Sequence, residues 1–333
     1  MDTKATTDLE LICTPIQHEV GLLRDFLKAE FSAPDPLIHE ILEHVAQFRG
    51  KQLRPAMLFL ATRLRGGECT ADAIKIGAVI ELIHTATLVH DDVLDSALLR
   101  RNVETVHRRW GERASVLIGD FIYSRAFQLS TEVDGMASVL SATTNVICEG
   151  ELLQLQHRFD AEMSEERYYE IIRKKTAALY GIACELGGVL GGISPSECAA
   201  LREFGLDLGM AFQIVDDCLD YTGTESKTGK SLGTDLRQNK MTLPLIYLRD
   251  CLSERDASCL VQQLNRPLTP EGESHILEMV NAHGVVTACL DRAEEFVQSA
   301  RSRLKGLDVT GPAASAAREA LELVGDYIIR RQC

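Results

Sequence analysis

Apolar residues recur along most of the chain at intervals of three and four, the period of an α-helix, and period-two alternation is scarce. The pattern predicts helices nearly throughout. Several starts are marked. Thr70 precedes ADAIKIGAVIELIHTATLVHDDVLD, one of the longest apolar helical stretches. Ser194-Pro195-Ser196-Glu197 joins an N-cap serine, a first-turn proline and the glutamate of a capping box, and Thr269-Pro270-Glu271 repeats the cap and proline. Breaks fall near Pro34–Pro36, Gly66–Gly67, Gly223–Gly233 and Pro267–Pro270, and no low-complexity linker divides the chain. The expectation is an all-α fold, a single large helical bundle of about a dozen helices forming one domain over residues 1–333.

Two stretches echo each other. HTATLVHDDVLD (84–95) and GMAFQIVDDCLD (209–220) both run from an apolar helix into an aspartate cluster. Residues four apart share a helix face, so Asp91 and Asp95 form one carboxylate pair and Asp216 and Asp220 another, with Asp92 and Asp217 beside them. Like charges at that spacing repel, and charge at the end of an apolar stretch is costly. A hard divalent cation resolves both problems, because Mg²⁺ takes one or two carboxylates and completes its shell with water and phosphate oxygens. One such cluster alone is more often a solvated helix end; a pair, each after a long apolar helix, is not. The alternating aspartates and central glycine of an EF-hand loop are absent. Spacing alone leaves a glycosidase carboxylate pair open, but that chemistry does not account for the cations nearby.

Those cations are Lys51 and Arg54 in GKQLRP, Arg100 and Arg101 just after the first cluster, Lys174 and Lys175 before Thr176, and Lys230 and Lys240 after the second cluster. Arginine forks match phosphate oxygens and lysine supplies a point charge, so these residues form candidate anion clamps. His84 lies two turns before Asp91, where a core histidine is the commoner finding.

Charge sharpens the picture. The 333 residues carry 49 acidic and 35 basic side chains, a formal charge of −14, which argues against general nucleic-acid binding. An anionic substrate therefore needs local positive charge to overcome the global field. Ten scattered cysteines without a C-x-x-C pair suit free thiols in a reducing compartment. The N-terminal stretch lacks an apolar signal region and no continuous apolar run approaches the ~18 residues of a membrane span, so the expected location is cytoplasmic.

Taken together, GKQLRP, ELIHTATLVHDDVLD, RRN, ASVLIGDFIYSRAF, EGELLQL, KKTAALYG, GMAFQIVDDCLDY, GKSLGTDL and NKMTLPL resemble the trans-prenyltransferases, the polyprenyl diphosphate synthase family, and its long-chain members most. The match runs in family order from about residue 50 to 247; the C-terminal part is less diagnostic. The resemblance implies an isoprenoid-synthase bundle around a central cavity, a homodimer, three Mg²⁺ per active site, and the substrates isopentenyl diphosphate and an allylic diphosphate. It implies Asp91, Asp95 and Asp216 as direct metal ligands, with Asp92, Asp217, Asp220 and Asp235 supporting them. Arg100, Lys175 and Lys230, with Lys240 nearby, look like the allylic diphosphate clamp. Lys51, Arg54, His84 and Arg101 look like the isopentenyl diphosphate site, where Gly50 lets the backbone come close. Thr176 and Gln213 resemble the neutral oxygens that face the developing cation. Arg330 and Arg331 are further candidates for holding isopentenyl diphosphate. Asn102 and Asn239 stand where the family usually has glycine, and neither change removes a charge.

The implied reaction is head-to-tail condensation from a farnesyl or geranylgeranyl starter, without a membrane span but with peripheral membrane contact for product release. Ala86 and Thr87, five and four residues before Asp91, are small where short-chain members often carry an aromatic. One helical turn spans about one isoprene unit, so the expected product is long, above about twenty carbons. A terpene cyclase would carry an N-x-x-x-S-x-x-x-E second motif, and a regulatory subunit would show damaged aspartates or lysines; neither applies.

Overall fold

The computed structural model describes residues 3–48, 50–222 and 233–331, with side chains from Asp8 onward. It is all-α apart from one small ribbon. Helices α1 (Thr3–Cys13), α2 (Gln17–Glu30) and α3 (Pro36–Val45) lead into α4 (Leu53–Thr62) and the long α5 (Ala71–Leu94). After the ribbon come α6 (Val106–Trp110), α7 (Glu112–Ser130), α8 (Met136–Gln156) and α9 (Glu165–Ile172). A π turn, Arg173–Ala177, joins α9 to α10 (Ala178–Leu190), and α11 (Pro195–Thr222) follows. The remainder comprises α12 (Thr234–Arg237), α13 (Leu243–Cys251), α14 (Glu254–Leu264), α15 (Pro270–Ala282), α16 (Val285–Lys305) and α17 (Pro312–Arg330).

The marked starts behave as predicted. Thr70 accepts from the N–H of Ala73, Ser194 from that of Glu197 and Thr269 from that of Gly272. Donors that lack an intrahelical partner are thereby satisfied. The break at 223–233 falls mostly outside the described residues.

Helices α4, α5 and α10 form the centre. Every residue of α4 is buried except Arg54, and α5 is buried on nearly all sides from Ala73 to Ala86. Helix α5 has the length and hydropathy of a membrane span, but 72% of its most apolar window is buried, which marks it as a core helix. Helix α10 packs between α4 and α11, and the approach is close. A Cβ on Gly187 would stand 2.3 Å from the carbonyl oxygen of Leu58, and one on Gly205 would stand 2.4 Å from that of Tyr180. Only glycine permits backbones to meet at that range.

The ribbon pairs β1 (Leu99–Arg100) with β2 (Val103–Glu104), antiparallel, in the register Leu99 to Glu104. Its turn, Arg101-Asn102, has φ of 53° and 64°, the left-handed pair of a two-residue hairpin. Asn102 fits because asparagine tolerates that region better than most side chains. Asn239 also stands at positive φ, 53°. Both departures from the family's glycine are therefore asparagines in left-handed positions.

Replacing Gly205 with alanine should overpack the α10–α11 contact and lower stability by about 1–3 kcal/mol, read as a lower urea midpoint at unchanged slope. An unchanged midpoint would show that the two helices can separate freely.

Candidate active site

The two aspartate clusters occupy the C-terminal ends of α5 and α11, where the helix dipole is negative. A carboxylate is disfavoured there by about 0.3–1 kcal/mol, beyond the cost of burial. Each carboxylate with described contacts meets a cation or a donor, and the partners reveal which side chains face inward.

Asp92 is 1% exposed and accepts from Arg100, whose Nε lies 2.9 Å from Oδ1; its Oδ2 has no hydrogen-bond partner. Asp217 is equally enclosed, accepting at 2.7 Å from the Tyr168 hydroxyl and from Gln213 Nε2. Burial, with Asp235 adding to it, pushes the Asp217 carboxyl well above the usual range. The second aspartate of each motif is thus enclosed and already bonded to protein groups through at least one oxygen. The others are better placed for ligands: Asp91, Asp95, Asp216 and Asp220 are only half-buried.

A short segment ties the clusters together. Lys240 Nζ lies 3.0 Å from Asp95 Oδ1 and 3.7 Å from Asp235 Oδ1. The N–H groups of Thr234 and Asp235 donate to the carboxylate of Asp220 at 3.1 and 2.9 Å. Gln238 Nε2 donates to the carbonyl of Asp95. Residues 233–240 therefore touch both clusters, which places them across one shared site. Asn239 anchors this segment by donating to the carbonyls of Leu264 and Arg266.

Lys175 enters from the π turn, paired with Glu151 and donating to Gln154 Oε1 at 2.7 Å, and its charge acts on Asp91. Lys174 turns outward to Glu149 and Glu170. Thr176 donates to Gln213 Oε1 at 2.7 Å, so Thr176, Gln213, Asp217 and Tyr168 form one chain of hydrogen bonds. Lys230 lies outside the described residues.

A second group of cations gathers beside the first. Lys51 sits over the Tyr327 ring at 5.0 Å, Arg54 over Tyr180 at 4.2 Å and Arg331 over Phe212 at 4.2 Å. Arg101 donates to the carbonyl of Phe48 beside Gly50. Burial, then Arg331 and Arg101, push the Lys51 ammonium down. Burial and three arginines, Arg54 foremost, hold His84 well below the usual imidazole range, so it is neutral. Arg54 Nε and an Arg331 Nη lack hydrogen-bond partners although buried. Like charges crowded together with spare donors make a ready receptor for a polyanion. Arg331 also reaches Asp216 at 3.4 Å, whereas Arg330 turns away to Asp8.

Several partners are not singled out by the sequence: Tyr168, the ring platforms Tyr180, Tyr327 and Phe212, of which Tyr180 and Phe212 lie inside quoted motifs, and the π turn itself. Glu151 and Gln154 could have been found, since EGELLQL sets them one turn apart on a helix. Ala86 is fully buried and Thr87 half-buried, donating to the carbonyl of His84. A pocket of about 260 Å³ opens beside Lys174 between α8 and α9, and none of the aspartates lines it. Among the described residues no three His, Cys, Asp or Glu side chains form a self-sufficient metal cage.

Known proteins resemble this chain in both sequence and fold. Residues 35–281 match the polyprenyl synthetase family. The chain is 39% identical over 281 residues to octaprenyl diphosphate synthase of Escherichia coli K12, covering 82% of this chain and 85% of that one. It is 36% identical to a short chain isoprenyl diphosphate synthase of Methanothermobacter thermautotrophicus, covering 87% and 89%. The crystal structure of polyprenyl synthase from Caulobacter crescentus CB15, complexed with calcium and isoprenyl diphosphate, superposes with a TM-score of 0.90 at 35% identity over 98% of both chains. The chain belongs to the polyprenyl synthetase family, the trans-prenyltransferases, and its fold is the all-α isoprenoid synthase bundle.

Asp91 offers a test of the electrostatics. Burial, reinforced by Glu151 and Asp95 against Lys175 and Arg100, raises its carboxyl to about 6. A carboxyl raised on folding opposes the folded state once ionised, so its cost is absent near pH 4 and grows as pH rises through 6. Metal-free Asp91→Asn should therefore melt a few degrees above wild type at pH 7.5, the gap closing towards pH 4. Equal melting at both pH values would refute the assignment.

Proposed function

We propose that the chain catalyses Mg²⁺-dependent head-to-tail condensation of isopentenyl diphosphate onto an allylic diphosphate. Diphosphate is released, and the product is a long-chain all-trans polyprenyl diphosphate. The observation that carries this reading is the pair of aspartate clusters joined across one site by residues 233–240, with a separate cation group alongside. The Caulobacter relative, complexed with calcium and isoprenyl diphosphate, supports a divalent ion with a prenyl ester in such a site.

The half-buried carboxylates of Asp91, Asp95 and Asp216 suit a hard ion that shares its shell with phosphate oxygens. Bound Mg²⁺ would neutralise the charge developing on the departing diphosphate. Arg100, Lys175, Lys230 and Lys240 hold the allylic diphosphate and add positive charge where it builds up. Lys51, Arg54, Arg101 and neutral His84 hold isopentenyl diphosphate so that its double bond faces the allylic carbon. Thr176 and Gln213 turn oxygens towards the developing cation, their orientation fixed by Asp217 and Tyr168. No side-chain nucleophile is required.

The curated relatives include octaprenyl and short-chain enzymes, so similarity leaves product length open. Ala86 and Thr87 favour a long product from a farnesyl or geranylgeranyl starter. For the homodimer, Leu117 on α7 and Leu152 on α8 support the reading, being 68% and 65% exposed.

Purified chain given labelled isopentenyl diphosphate, a farnesyl starter and Mg²⁺ should form polyprenyl diphosphates, and should stop on chelation. Asp91→Ala or Asp216→Ala should lower kcat by at least a thousandfold. Turnover of the allylic substrate alone would instead point to a cyclase. Ala86→Phe should shorten the product, and an unchanged chromatogram would reject the cavity model. Light scattering should find a dimer in wild type and a monomer in Leu117→Glu/Leu152→Glu.

A further inference from the structure

Lys175 and Thr176 do not stand on a regular α-helix. In their π turn, the N–H of Ala178 donates to the carbonyl of Arg173, five residues back. Such turns are rare, usually single, and frequent at functional sites. Relaxation to α geometry would rotate one side of the turn by about 100°, taking either Lys175 or Thr176 off the site. Something must therefore hold the turn as it is.

Two glycines close on it from different helices. A Cβ on Gly150 of α8 would stand 2.4 Å from the backbone nitrogen of Lys175 and 2.9 Å from its Cα. A Cβ on Gly209 of α11 would stand 2.5 Å from the Cα of Ala177. These are backbone contacts, which cannot swing aside as a side-chain tip can. Each glycine also has a polar companion nearby on the same helix. Glu151 and Gln154, one and four residues past Gly150, hold the Lys175 ammonium. Gln213, four residues past Gly209, takes the hydroxyl of Thr176.

We propose that Gly150 and Gly209 are positioning residues, a two-sided backbone clamp that keeps the π turn in the register presenting Lys175 to the diphosphate and Thr176 to the cation. The functional half of this inference rests on the condensation reading above; the clamp itself does not.

The test is Gly150→Ala, with Gly209→Ala as its counterpart from the other side. An added Cβ must shift the turn by roughly an ångström, enough to cost about a hundredfold in a positioned reaction. Expected are a 10- to 100-fold loss in kcat and a several-fold rise in the allylic KM. The KM for isopentenyl diphosphate should stay within about twofold, because Lys51 and Arg54 lie on another element. Gly188→Ala, whose Cβ would meet only side-chain atoms of Leu201 and Cys198 at close range, is the control and should keep kcat. A crystal structure of Gly150→Ala should show Lys175 and Thr176 displaced; an unmoved turn, or an unchanged kcat, overturns the clamp. If wild type itself lacks turnover, the condensation reading fails while the crystallographic comparison still decides the clamp. Should neither variant fold, hydrogen exchange of wild type decides: amides 174–178 exchanging only with the opening of α10 and α11 support it, and fast local exchange overturns it.

Discussion

Carboxylates at the C-terminal ends of two buried helices are held against both the helix dipole and the loss of water. The fold answers with cations and donors drawn from many places: Arg100 from the ribbon, Lys175 from the π turn, Lys240 from the segment after α12, and Arg331 from just beyond α17. Sequence positions far apart are thus drawn to one electrostatic problem. Metal and diphosphate are a further solution to the same problem, and for that reason the site suits them.

The overall charge of −14 makes this concentration of positive groups necessary. Aromatic faces allow it to form without consuming the positive charge. Arg331 meets both the Phe212 ring and the Asp216 carboxylate, whereas Tyr180 and Tyr327 steady Arg54 and Lys51 through their rings. A carboxylate partner would have steadied them equally well but would have cancelled the charge that a diphosphate must find.

Much of this could be read from the residues. Helical periodicity, the caps at Thr70, Ser194 and Thr269, and the aspartate spacing are local properties, and the structure follows them. Asn102 and Asn239 could be noticed as departures, yet their meaning needed φ angles: both sit where asparagine can stand in for glycine. Asp92 and Asp217 could be set apart from Asp91 and Asp216 by helix face and by the resemblance, but their burial could not be read, because a motif does not reveal which face of a helix is enclosed. The π turn and the hydroxyl of Tyr168 were illegible, since both depend on contacts between elements remote in sequence.

The anchoring of Asn239 has a wider bearing. Its carboxamide ties the segment before Lys240 to the carbonyls of Leu264 and Arg266, at the end of α14. That region lies beyond the most diagnostic motifs and far along the chain from the aspartates. Change there would disturb the anchor of the lysine while leaving the aspartates and their cations unaltered. A stretch remote in sequence from the aspartates is thereby given a mechanical hold on the lysine beside them.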